Sequence, residues 1–142
     1  MATRSAKEEK TYQDYIKNEK KPGCDFCRFE AGDGQVKREE TDFYIVENIY
    51  GYSHWDSSEV EEHLMIVPKK HVTSLSKLSD TELMAHAKLI QEYEPKGYST
   101  YSRGSESHMK SVPHQHTHLI KLKPGRHKFF LHVQKPYIRF KF

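Results

Sequence analysis

No stretch of the 142 residues approaches the roughly 20 consecutive apolar positions of a membrane-spanning helix. The segment from Met1 to Lys21 is polar and charged and lacks the apolar core of a secretion signal, so the reading is a cytoplasmic protein with no membrane partner. Cysteine is scarce: Cys24 and Cys27 are the only two, which excludes a disulfide-stapled scaffold. No repeat or low-complexity tract is visible, which excludes a solenoid. Acid is missing from one region. After Glu106 there is no Asp or Glu, while Lys110, Lys121, Lys123, Arg126, Lys128, Lys135, Arg139 and Lys141 follow. Such a one-signed third attracts anions. The net charge of +3 is too small to imply nucleic acid by itself, so a nucleic-acid partner is possible without being favoured. Apolar content is low at 35%, but aromatics at 12% supply core material for one folded domain.

Read in order, residues 1–20 form a polar N-terminal extension with a short helix, Tyr12, Tyr15 and Ile16 lying near one face. Residues 21–142 form a single domain, of which 125–142 is a basic C-terminal extension of the sheet. Lys21-Pro22-Gly23 breaks the first helix, and Cys24-Asp25-Phe26-Cys27 follows in a tight turn. Thr41 to Asn48 is rich in aromatic and β-branched residues and reads as a strand. Residues 49–62 show no period and read as a long loop holding Trp55, the only tryptophan. His63-Leu64-Met65-Ile66-Val67-Pro68 is a buried strand. Ser79-Asp80-Thr81-Glu82 is a capping box for a helix over about 80–93, with Leu83, Ala87 and Ile90 as its buried stripe and His86 beside it. Tyr98 to Ser102, His114 to Leu122, His127 to Gln134 and Tyr137 to Phe142 are strand-like. The order gives an α+β class, with a mostly antiparallel sheet of about five strands and one main helix.

One stretch stands out: Pro113-His114-Gln115-His116-Thr117-His118-Leu119-Ile120. On a strand, alternate side chains share a face, so three imidazoles line one surface. Two chemistries suit them. They could converge on a divalent metal. Or one could act as a nucleophile, because neutral imidazole is abundant near pH 7, while its neighbours hold the tautomer and protonate a leaving group. The cysteine pair likewise reads as a metal site or a redox pair. Spacing alone leaves these open.

Cys24-x-x-Cys27, His63-Leu64-Met65-Ile66-Val67-Pro68-Lys69-Lys70-His71-Val72 and the histidine strand, in that order, resemble the histidine triad (HIT) superfamily of nucleotide hydrolases and transferases. The resemblance spans about Cys24 to Leu122. It implies a HIT-like fold and a homodimer. It implies that His116 is a nucleophile that attacks the α-phosphorus of a nucleotide and carries a covalent nucleotidyl group. His118 would bind phosphate oxygens or assist the leaving group, Ser111 would contact the phosphate or leaving group, and Asn48 would bind ribose hydroxyls. A histidine at the third position resembles the hydrolase branches. The resemblance also implies a structural Zn2+ held by Cys24, Cys27, His63 and His114. The implied substrates are phosphoramidates, dinucleoside polyphosphates or acyl-nucleotides.

The sequence departs from the family pattern at two places. Gln115 and Thr117 replace the apolar residues that pack beneath the triad, so either that face is wetter or another polar group meets it. The segment after Asn48 is longer than usual and lacks a proline, so Tyr52 or Trp55 could stack on a base or close the pocket. Two further readings compete with the hydrolase: a zinc-stabilised nucleotide- or RNA-binding module without turnover, and a metalloenzyme with its ion on all three triad histidines.

Overall fold

The computed structural model describes residues 4–19, 22–125, 130–134 and 137–141. The chain begins with helix α1 (Ala6–Asp14), capped by Ser5 and Glu8, and a π-helical turn, Tyr15–Glu19. Strands β1 (Val36–Glu39), β2 (Phe43–Glu47), β3 (His54–Trp55) and β4 (Ser58–Pro68) follow, then helix α2 (Asp80–Tyr93), β5 (Tyr98–Tyr101) and β6 (Thr117–Leu122). The main sheet has six antiparallel strands in the order β1-β2-β4-β6-β5, with β3 paired to β4. Strands β7 (Phe130–Gln134) and β8 (Tyr137–Lys141) pair with each other in a two-stranded sheet, and among the described residues no pairing joins them to the main one.

The expected α+β architecture stands, and helix α2 has the predicted bounds. Ser79 N donates to Glu82 Oε2 at 2.6 Å, and Glu82 N donates to Ser79 Oγ at 3.3 Å, so the capping box forms as read. Two local expectations differ. The helix buries His86 and Leu89, whereas Leu83 is 36% and Met84 58% exposed. The buried face is rotated because His86 finds a polar partner in the sheet. Residues 49–62 are not one long loop. Residues 54–55 pair with 58–59 at the start of β4 as a hairpin around Asp56 and Ser57, which adopt φ of 48° and 67°. Neither is the glycine that would announce such a turn.

The sheet separates two apolar clusters. One face carries Phe43, Ile45, Leu64, Ile66 and Leu119 against Leu89 of α2, with Val72 and Leu78. The other carries Val46, Met65 and Val67 under Phe26 and Phe29. Register decides which face each histidine takes. Met65 pairs with His118 and His63 with Ile120, so His118 lies on the Met65 face and Thr117 on the α2 face. The amide of Asn48 donates to the carbonyl of His63 at 2.9 Å, which brings the end of β2 beside the start of the buried part of β4.

Candidate functional site

All three triad histidines are buried: His114 at 0%, His116 at 7% and His118 at 5% exposure. They do not share one task. His114 closes a cluster with Cys24, Cys27 and His71, whose ligand atoms all lie within 4.8 Å of one another. Nδ1 of His114 is 3.4 Å from Cys24 Sγ and 3.5 Å from Cys27 Sγ, and Nδ1 of His71 is 3.1 Å from Cys27 Sγ. Sulfur and nitrogen ligands of one tetrahedral Zn2+ stand about 3.6 Å apart, given its usual bond lengths. The four residues therefore fit a metal site. The other nitrogen of His114, Nε2, lies 2.9 Å from the carbonyl of Pro68 and donates to it, the outer contact that aims a ligating imidazole. Both cysteines are free thiols.

His63 is not in this cluster. It stands at the far end of the buried part of β4, five residues before Pro68, and an extended strand spans about 16 Å over that length. No single ion could join it to His114. His71, beyond Pro68, takes the fourth position instead. The signal for it was present in the sequence, three residues after the proline that ends the strand.

His63 meets the triad elsewhere. The Tyr52 amide donates to His63 Nδ1 at 3.1 Å, and His63 Nε2 is 2.9 Å from Nδ1 of His118. An amide N–H is always a donor, so His63 Nδ1 bears the lone pair and Nε2 the proton. That proton goes to His118 Nδ1, which leaves the proton of neutral His118 on Nε2. The Asn48 amide nitrogen, 3.3 Å from His63 Nε2, meets a nitrogen that already carries a proton and adds no bond there. Asn48 Oδ1 instead accepts from the Tyr50 amide at 3.2 Å. Gly51 makes this approach possible. A Cβ there would stand 3.0 Å from His63 Nδ1 and 3.1 Å from the Asn48 carbonyl.

His116 is oriented separately. Its Nδ1 is 2.8 Å from the carbonyl of His114 and donates to it, so Nε2 keeps the free lone pair. Its ring meets Phe26 at 5.1 Å and His118 at 4.9 Å, edge to face in both cases. Burial pushes the pKa of His116 and His118 down, and takes that of His63 to about 4. All three are neutral at pH 7. The rings are turned to different partners, and among the described residues they form no common metal site. Ser111 is exposed on the turn before the triad.

The polar residues beneath the triad each have a partner. Thr117 Oγ1 bonds Nε2 of His86 at 2.9 Å. Gln115 accepts from Lys110 Nζ at 2.8 Å and donates to Ser102 Oγ at 2.6 Å, and Ser102 Oγ donates to the His116 carbonyl at 3.0 Å. The face is not wet; it is cross-linked.

Tyr52 and Trp55 pack against protein rings beside the triad. Tyr52 packs on His63 at 5.0 Å, Trp55 lies between Tyr52 at 5.8 Å and Tyr101 at 5.1 Å, and Tyr101 stacks on His118 at 5.8 Å. The N-terminal helix joins this assembly. Tyr12 and Tyr15 meet the Tyr50 ring at 5.4 and 4.9 Å, and Arg4 Nε donates to the Tyr50 carbonyl at 2.9 Å. Arg4 carries no sequence signal of its own, because its neighbours come from the fold.

A family model described as "HIT domain" matches residues 39–125. A crystal structure of a HIT family hydrolase from Legionella pneumophila Philadelphia 1 is 25% identical, with 73% of this chain and 95% of that chain covered and a TM-score of 0.50. A histidine triad protein from Clostridium difficile is 19% identical, covering 77% of this chain and 99% of that chain at a TM-score of 0.48. A comparison with curated proteins gives no match. Among the described residues no helix is long and apolar enough to cross a membrane.

Proposed function

The chain belongs to the HIT domain family, and from that premise we propose that it is a nucleotide hydrolase acting at the α-phosphate of a nucleoside monophosphate derivative through a covalent nucleotidyl-histidine. The observation that carries this reading is the 2.8 Å bond from His116 Nδ1 to the His114 carbonyl. It fixes one tautomer and aims the lone pair of Nε2 at the substrate. In the first step a bond forms between that nitrogen and the α-phosphorus, and the bond from phosphorus to the leaving group breaks. His118 Nε2–H, held outward by the His63 bond, gives its proton to the leaving atom. A water then takes the nucleotidyl group from His116, and His118 recovers a proton from that water. Splitting one displacement into two suits a phosphorus–imidazole bond, which is labile. Ser111 and the family position Asn48 are the proposed contacts to phosphate and ribose.

Cys24, Cys27, His71 and His114 are the proposed ligands of a structural Zn2+, which would stiffen the start of the triad strand. With two sulfurs and two imidazoles the set is complete and leaves no position for substrate. A homodimer in the cytoplasm remains part of the proposal, with the exposed Leu83 and Met84 of α2 available to a second copy. The test is His116→Asn with an adenosine phosphoramidate. Turnover should vanish while folding and zinc content persist, and acid quenching of the native enzyme should trap a nucleotide on His116. Full activity in the variant would refute the covalent route.

A further inference from the structure

The amide of Tyr52 fixes the tautomer of His63, and through it the place of the proton on His118. It belongs to a turn with little stiffness of its own. Gly51 precedes it, and a glycine, having no Cβ, barely restrains the two peptides it joins. Restraint comes instead from the N-terminal segment. Arg4 Nε donates to the Tyr50 carbonyl, the oxygen of the Tyr50–Gly51 peptide, at 2.9 Å. The Arg4 guanidinium lies 4.3 Å from the Tyr12 ring centre and 5.5 Å from that of Tyr52, so one cation spans both sides of Gly51. Glu9 holds that guanidinium from α1 at 3.3 Å. The Tyr50 ring packs on Tyr12 and Tyr15, and the Ser53 hydroxyl bonds the Glu8 carboxylate. Residues 50, 52 and 53 are thus each tied to the N-terminal segment, on both sides of the amide that faces His63. The charge of Arg4 reaches His63 as well: after burial, it is the next cause that holds the pKa of this imidazole down. A neutral ring is what the contact needs, since only the neutral form keeps a lone pair on Nδ1 for the Tyr52 amide.

We propose that Arg4 is a positioning residue of the triad: it clamps the 50–52 turn onto the N-terminal segment, keeps the Tyr52 amide on His63 Nδ1, and so holds the proton of His118 on Nε2. The consequence for turnover rests on the nucleotidyl transfer reading above; the tautomer itself does not. Arg4 acts through three intermediaries, the Tyr52 amide, His63 and His118, and not by contact with the reacting atoms. Without the clamp the turn swings the amide off Nδ1, and neutral His63 can carry its proton on either nitrogen. His118 then bears its own proton on Nδ1 in part of the molecules, where it faces His63 and is lost to a leaving group. Arg4 lies outside the matched residues 39–125, so the clamp is a feature of the present chain and not of the domain alone.

The test is nitrogen NMR of the His118 ring at pH 7 in the full chain, with that ring assigned by its absence in His118→Gln. The native protein should show one tautomer, protonated on Nε2. Arg4→Gln should mix the two tautomers, and Arg4→Lys, which keeps the charge and a donor, should restore most of the native pattern. Lys10→Gln removes a like charge from an exposed position of α1 and should change nothing. A single tautomer in Arg4→Gln, or equal mixing in Lys10→Gln, would overturn the clamp. In turnover, Arg4→Gln should lower kcat/KM for an alkylamine phosphoramidate of adenosine about tenfold, as loss of one charge-assisted hydrogen bond does. A p-nitrophenyl ester of the same nucleotide, whose leaving group departs without a proton, should lose less than about twofold. Equal losses on both substrates would show a general effect on the fold and would also overturn the clamp. If the native protein turns over neither substrate, the hydrolase reading falls, and the ring spectra still decide the clamp.

Discussion

His63 Nε2 stands 2.9 Å from His118 Nδ1, and the Tyr52 amide on the other side of the ring dictates which of the two nitrogens of His63 carries the proton. A main-chain group on the 49–53 segment thus sets the tautomer of a triad histidine two rings away. Replacing His63 with Leu frees His118 to take either tautomer. We expect kcat to fall about 100-fold, in the range of lost general-acid assistance, with zinc content unchanged. Steady-state kinetics and metal analysis on the same preparation check both halves. Wild-type kcat would show that His118 needs no such support.

The opposite pattern is expected for His71. Its Nδ1 faces Cys27 Sγ at 3.1 Å, so His71→Ala opens the proposed tetrahedral set. Zinc should drop well below one equivalent and the melting temperature should fall, because a structural metal contributes directly to folding free energy. Chelation of the native protein should lower the melting temperature in the same direction. A variant retaining full zinc would remove His71 from the ligand set.

Acid stability follows from burial. The pKa of His63 is carried from the ordinary 6.5 to about 4, chiefly because its charged form is desolvated. The unfolded chain therefore binds a proton below pH 6.5 that the folded chain refuses until about pH 4. Stability is complete above 6.5 and is lost as pH falls through that window, by about 3 kcal/mol for this residue at most. Urea unfolding at pH 7 and pH 4.5 should show a smaller loss in His63→Leu than in the native protein. Any acid release of metal is common to both and cancels in the comparison. An identical loss in both proteins would count against the assignment.

The His86–Thr117 pair is buried on the α2 side, with exposures of 8% and 4%. Thr117→Val leaves an imidazole without its partner in an apolar layer and should cost about 1–3 kcal/mol. Adding His86→Leu removes the orphaned group and should restore most of that loss. Urea denaturation of the two single variants and the double variant measures the coupling. Additive losses would mean that the 2.9 Å contact contributes nothing.

Helix α2 was legible to the residue because capping is local chemistry: Ser79 and Glu82 need only each other. Three members of the Cys24, Cys27, His71 and His114 cluster were legible. The family resemblance points to His63 at the start of the apolar run, and sequence order does not say which end of that run meets His114. Register decides it, and register is a property of the sheet. The hairpin at Asp56 and Ser57 was missed because those residues take positive φ without the usual glycine. Gln115 and Thr117 looked anomalous for a related reason. Their partners, Lys110, Ser102 and His86, come together only when β6 and α2 are in place. Residues 1–20 read as a polar extension because nothing in them hints that Tyr50 meets Tyr12 and Tyr15.

The pairing of β4 with β6 joins Met65 to His118, and the cluster at the start of the triad joins Cys24 to His114. These closures span more than a third and nearly two-thirds of the chain. Loop entropy must be overcome before such contacts return anything, so they form slowly compared with α2 or the β3–β4 hairpin. The reactive geometry is therefore a late product of folding. A partly folded chain with its helix and hairpin in place still lacks the aligned imidazoles until the sheet has closed.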